Sequence, residues 1–184
     1  MSKSKLAVTL FILSEASFFA LLIIAYLYFH AYPGEGPTAA GSLNVGRTAI
    51  FSVSLFASSA TMMLASRSYR TRGSAMLGWL IVTLLLGGVF LFGQVREYMG
   101  LYAAGVSANR SLFATTFFTL TGFHGLHVAI GLLAIGAVAV LAGSGSLGVS
   151  AREEEAFGSV EIYWHFVDAV WVVIFSIVYL WALL

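Results

Sequence analysis

Residues 112–141 read LFATTFFTLTGFHGLHVAIGLLAIGAVAVL, with His124 and His127 as the ionisable side chains. A helix needs about 20 apolar residues to cross a hydrocarbon core about 30 Å thick, and this run has that length. Four further runs meet the same requirement, at about residues 6–29, 48–65, 74–95 and 161–184. Transmembrane strands would be about 10 residues of alternating polarity, whereas these runs are continuously apolar. The expected fold is an all-α integral membrane protein: a single domain over residues 1–184, built as a bundle of five transmembrane helices. The first run ends near Pro33-Gly34. It is too long for a signal-peptide core and has no A-x-A-like cleavage site, so it reads as a retained helix.

Composition agrees. Of 184 residues, 60% are hydrophobic, 15% aromatic and 9% charged, with a mean hydropathy of +0.95. Soluble domains carry about 25% charged residues, so this chain lacks the polar side chains to cover a soluble globule. A net charge of +1 leaves no basic face for nucleic acid. There is no cysteine, which excludes disulfides, thiolate catalysis and iron–sulfur or zinc-thiolate sites. No internal repeat supports a transporter built from inverted halves.

Lys and Arg in the connections set the expected orientation. The amino terminus and the second and fourth loops carry Lys3, Lys5, Arg67, Arg70, Arg72 and Arg152, six in all, against three, Arg47, Arg96 and Arg110, on the other side. The amino terminus is therefore expected inside and the carboxyl terminus outside. The fourth loop, about residues 142–160, is Gly/Ser-rich and holds Arg152-Glu153-Glu154-Glu155. That acid run reads as a solvated turn, with docking of a neighbouring subunit as the functional alternative.

Ionisable groups within spans cost about 2.5–3.5 kcal/mol each on insertion scales, so they need a reason. Five fall here: Glu15, His124, His127, His165 and Asp168. Glu15 lies ten residues after Lys5, about 15 Å deep and near the midplane. It reads either as a proton-relay or lipid-contact carboxyl or as a polar clip between helices. His124 and His127 share a helix face. Metal or haem ligation is conceivable, but two axial haem ligands cannot come from one helix at that spacing. Interhelical hydrogen bonding is the stronger reading, with Gly122 and Gly125 admitting a close neighbour. Glu161, His165 and Asp168 form one stripe on the fifth helix, and Trp164 and Trp171 share the adjacent face. Depth arithmetic puts Glu15, His124 and Asp168 at similar heights, so these three are expected to face one another inside the bundle. Gln94, Glu97 and Tyr98 read as an interfacial polar cluster at the end of the third helix, and Trp164 and Trp171 as interfacial or lipid-contact residues. Small residues four apart, Ser54 with Ser58 and Ala57 with Thr61, and the glycines of the third helix read as packing surfaces.

Three strings resemble subunit III of haem–copper terminal oxidases, cytochrome c oxidase in particular: Leu13-Ser14-Glu15-Ala16-Ser17-Phe18-Phe19, Thr121-Gly122-Phe123-His124-Gly125-Leu126-His127-Val128, and Tyr163-Trp164-His165-Phe166-Val167-Asp168-Ala169-Val170-Trp171. The stretch from Gln94 to Tyr98 resembles a fourth, weaker motif. The resemblance implies an all-helical membrane subunit without a redox centre of its own. Its partners would be subunit I, which holds the haems and copper, subunit II and the other subunits of the complex. It implies bound phospholipid in a cleft between the first two helices and the rest, and a role in sustaining proton uptake and turnover. Glu15 matches the family's carbodiimide-reactive intramembrane carboxyl; His124, His127, His165 and Asp168 match its polar interior. Larger members have seven helices, and this chain begins where their third would, which leaves that cleft one wall short. A short form of this kind suits a bacterial cytoplasmic (inner) membrane. Tyr163 before Trp164 leans towards the cytochrome c branch.

The leading function is thus a non-catalytic subunit of a proton-pumping terminal oxidase, with no catalytic, metal or cofactor site of its own. A quinol oxidase subunit III and an accessory subunit of nitric oxide reductase are related alternatives. An independent proton channel or transporter using Glu15 and the histidines is a second class. A haem-bearing electron carrier is a third, disfavoured by the histidine spacing.

Overall fold

The computed structural model describes residues 3–31, 43–108, 111–148 and 150–181. Pro33-Gly34, Arg110 and the last three residues of the expected fifth span lie outside them. Among the described residues the structure is helical, with no strand. Its elements are α1 (Lys3–Ala31), α2 (Val45–Arg70), α3 (Met76–Ala103), α4 (Leu112–Gly143) and α5 (Ala151–Phe175), the last continuing into a π-helical turn, Ser176–Leu180. Five of its helices are long and apolar enough to cross a membrane.

The helices overrun the apolar runs because polar caps extend them. Asn44 accepts the Arg47 amide at 3.0 Å and starts α2 three residues before Thr48. α4 starts at Leu112, as its apolar run does, and there Ser111 Oγ accepts the Ala114 amide at 3.0 Å. The largest difference is at α5, which begins at Ala151 where the hydropathy pattern leaves a loop running on to Val160. Ser150 and Glu153 form a reciprocal capping box, and Glu153 and Glu154 lie in the first turn. Carboxylates there complement the positive end of the helix, so the acid run begins a helix and is not a free turn. α3 runs eight residues past Val95 to Ala103. Beyond it Gly105 takes φ +79°, a conformation that costs glycine little, and Val106 N–H closes on the Leu101 carbonyl at 2.9 Å.

α2 and α3 form an antiparallel hairpin through a tight turn in which Arg72 has φ 54°. α4 packs on α1, α3 and α5; α5 also packs on α1 and α2. Lipid tails are as apolar as leucine, so close packing and interhelical hydrogen bonds must hold such helices together. The α2–α5 seam has both. Trp171 Nε1 donates to Ser52 Oγ at 2.8 Å and Trp164 Nε1 to Ser58 Oγ at 3.1 Å. His165 Nδ1 lies 3.3 Å from Ser59 Oγ, and Ser66 Oγ donates to Glu161 at 2.7 Å. Arg70 reaches the same Glu161 oxygen at 3.0 Å. Between α2 and α3, the Thr61 and Thr83 hydroxyls meet at 2.8 Å. The Trp164 ring wedges between α3 and α4: a Cβ on Gly87 would stand 2.9 Å from it and one on Gly131 2.8 Å. Trp164 and Trp171 are each 1% exposed. They are core side chains, correcting their reading as interfacial or lipid-contact residues.

Candidate functional site

α1 brings Glu15 against α4, where its carboxyl lies 2.9 Å from His127 Nε2. The other ring nitrogen, Nδ1, is 2.6 Å from the Phe123 carbonyl. A carbonyl only accepts, so Nδ1 carries a proton and donates. Nε2 then either accepts from a protonated Glu15 or, itself protonated, donates to the carboxylate. Either way one proton is held between the two groups, and the pair as a whole is neutral. That neutrality makes it tolerable at membrane depth. Around it, Phe18 and Phe19 flank the imidazole at ring separations of 6.3 and 4.9 Å. Tyr163 on α5 donates its hydroxyl to the His127 carbonyl at 3.2 Å. Three helices therefore meet at His127.

His124, one turn earlier, does not face Glu15. It is fully buried and stacks on Trp171, with centroids 4.9 Å apart and planes 23° apart. The rings of Phe19 and Phe90 present edges to it. Neither of its ring nitrogens has a partner among the described residues. Asp168 faces α2 beside Ser59 and His165, with Oδ1 unpartnered among the described residues. The expected meeting of Glu15, His124 and Asp168 is thus replaced by two separate polar contacts. Glu15 meets His127 across α1 and α4, and His165 and Asp168 meet Ser59 across α5 and α2.

Gln94 is buried inside the bundle, away from lipid contact. It is 8% exposed, and its Nε2 donates to the Thr121 carbonyl at 2.5 Å. The amide lies over Gly125, where a Cβ would come 2.8 Å from Oε1. Tyr98 and Thr121 share a 2.7 Å hydroxyl contact. Glu97 accepts from Thr48 at 2.9 Å and from Tyr179 at 2.7 Å. Sequence reading missed Tyr179, Tyr163 and the serines of α2 as partners. The recurrence of Ser52, Ser59 and Ser66 every seventh residue was the available signal. Among the described residues no group of three or more His, Cys, Asp or Glu is placed to hold a metal ion.

Five apolar helices stitched by interior hydrogen bonds define a multi-pass membrane protein. The chain belongs to the cytochrome c oxidase subunit III family, whose model matches residues 1–183. It is 40% identical to cytochrome c oxidase subunit 3 of Synechocystis sp. over 177 residues, covering 94% of this chain and 73% of that protein. The subunit 3 of Thermostichus vulcanus cytochrome c oxidase is 34% identical, covering 95% and 86%. The cytochrome bo(3) ubiquinol oxidase subunit 3 of Pseudomonas aeruginosa is 32% identical, covering 93% and 81%. The chain is accordingly a subunit III of the haem–copper oxidases, a component of an enzyme complex.

Proposed function

We propose that this chain is a non-catalytic core subunit of a proton-pumping respiratory oxidase that reduces oxygen to water in subunit I. It packs directly on subunit I, in company with subunit II and the remaining subunits. The haems and copper belong to those partners. Residues 1–184 act as one transmembrane domain in a bacterial cytoplasmic membrane, amino terminus inside and carboxyl terminus outside, in keeping with the six-to-three distribution of Lys and Arg. Cytochrome c is the donor to the complex. The ubiquinol oxidase relative supports quinol as the second reading.

The observation that carries the role is the Glu15–His127 contact at 2.9 Å, in a family member with a match over residues 1–183. A carboxyl and an imidazole sharing one proton within the apolar zone can pass that proton from one to the other while the pair stays neutral. We assign them a proton-relay role that supports uptake and turnover stability. His124, His165 and Asp168 form the supporting polar interior. Phospholipid covers the exposed apolar faces of the helices.

The test is isolation of the complex in mild detergent through a tag on this chain. The expected result is a colourless polypeptide co-purifying with a haem- and copper-bearing partner that oxidises cytochrome c. Haem absorbance from the chain alone, or a chain that never brings down an oxidase, refutes the assignment. In the assembled complex, Glu15→Ala should leave electron transfer largely intact while changing proton uptake or the number of turnovers before inactivation.

A further inference from the structure

Where α2 begins and α3 ends, a cavity of about 10 Å³ opens between the helices, lined by Arg47, Thr48, Gly93, Gln94 and Glu97. Phe51, Phe90 and Trp171 complete its apolar wall. Such a volume holds about one water molecule, and a buried water typically needs two to four polar partners. The lining supplies them with matched chemistry. Arg47 offers N–H donors. Glu97 offers carboxylate lone pairs beyond those taken by Thr48 and Tyr179. Gln94 is more than nine-tenths buried, and its Oε1 has no donor among the described residues. Arg47 and Glu97 form no direct ion pair. Where a cation and an anion line one small cavity without direct contact, a bridging water can join them.

We propose that one ordered water occupies this cavity, accepting from Arg47 and donating to Glu97 and Gln94. The site is distinct from the Glu15–His127 pair and does not depend on the role proposed for it. It completes a latch across three helices. Arg47 and Thr48 come from α2, Gln94 and Glu97 from α3, and Tyr179 from the π-helical turn that follows α5. The extra residue of a π-type turn re-aims side chains relative to a regular helix, and here Tyr179 is the side chain that meets Glu97. The water also carries polar contact from exposed Arg47 to Gln94, one turn further into the bundle than Glu97.

A high-resolution electron cryomicroscopy map of the assembled oxidase tests the site. The expected result is one solvent peak at about 2.7–3.1 Å from Glu97 and from an Arg47 nitrogen. An empty cavity, or an Arg47 nitrogen seated directly on Glu97, overturns the proposal. Gly93→Ala is the second arm. The ring of Phe51 lies 2.2 Å from where that Cβ would stand, so the ring must move, and both residues line the cavity. The variant should lose the solvent peak while the Glu97–Tyr179 contact remains. Arg47→Met should also lose the peak, and persistence of the peak in Arg47→Met overturns the assigned donor. If neither variant assembles, the map of the unaltered protein decides alone.

Discussion

Gly131→Ala should destabilise the bundle far more than the same change five residues along the same helix. The added methyl at residue 131 would stand 2.8 and 2.9 Å from Trp164 Cε3 and Cζ3 and 3.4 Å from Tyr163 Cε1. Carbon atoms in good contact are about 3.5–4.0 Å apart, so the indole must retreat by about 0.7 Å or more. Its freedom is small. Its Nε1 is tied to Ser58 at 3.1 Å, and its far edge already fits the notch at Gly87, where a Cβ would stand 2.9 Å away. Overpacking of this kind costs about 1–3 kcal/mol, or about 5- to 150-fold in the folded-to-unfolded ratio. Gly136 is the control, because a Cβ there meets nothing within 4 Å. Gly136→Ala should be neutral or slightly stabilising through helix propensity. Detergent-micelle unfolding by dodecyl sulfate titration, followed by near-ultraviolet circular dichroism, reads both. Combining Gly131→Ala with Trp164→Phe should cost less than the sum of the two single changes, since the smaller ring clears the methyl. Equal stability of the residue 131 and residue 136 variants would falsify the wedge.

Other expectations follow from the same seams. Thr61→Val removes the hydroxyl contact with Thr83 and should cost about 0.6 kcal/mol, at most about 1.7, by the usual worth of interhelical hydrogen bonds in membranes; the same titration reads it. Ser150→Ala breaks the capping box at α5 and should cost about 0.5–2 kcal/mol, visible as faster amide hydrogen exchange confined to the first turn of that helix. Arg70→Ala should cost no more than about 1 kcal/mol, because its guanidinium side is 62% exposed and such pairs are screened. A matching loss of stability in high salt for the unaltered protein checks that assignment.

The spans were legible because length and continuity of apolar residues suffice to find a membrane helix. Several of their ends were not, since Asn44 and the Ser150–Glu153 box add polar turns that hydropathy discounts, whereas α4 starts at Leu112 as its apolar run does. Interior contacts were legible by depth but not by direction. His124 and His127 differ by about 4.5 Å in height and about 60° around the helix axis. Tilt blurs height by several ångströms, so depth could not choose between them as the partner of Glu15. Azimuth decides, and it places His127 towards α1 and His124 against Trp171. Trp164 and Trp171 suggested an interface because tryptophan is common there. What seats them inside is the set of receiving groups, Gly87, Gly131, Ser52 and Ser58, which lie on other helices and have no mark in the local sequence. Gln94 and Glu97 suggested a helix end because the apolar run stops beside them. The helix continues, and Thr48 and Tyr179 fold the charge of Glu97 inward.

These contacts divide the bundle into a stitched part and a leaning part. α2, α3 and α5 are tied by serine, threonine and tryptophan hydrogen bonds at several heights. By contrast, α1 has 6% of its apolar window buried and meets α4 and α5 mainly through rings: Phe11 on Tyr163, Phe18 on Phe123 and Tyr26 on Phe113. Aromatic contacts are shallow in register, since a ring slides over its neighbour at small cost, whereas a 2.9 Å hydrogen bond does not. The Glu15–His127 pair therefore fixes the height and rotation of α1 on the bundle. With that register set, Leu10, Leu13, Leu21 and Ile24 all face outward, each more than half exposed. A change at Glu15 that loosens α1 would then redirect the whole apolar face that this helix offers to its surroundings. Glu15→Gln, which can still donate to His127 Nε2, separates the two roles: it should keep the register of α1 while removing the exchangeable proton of the carboxyl.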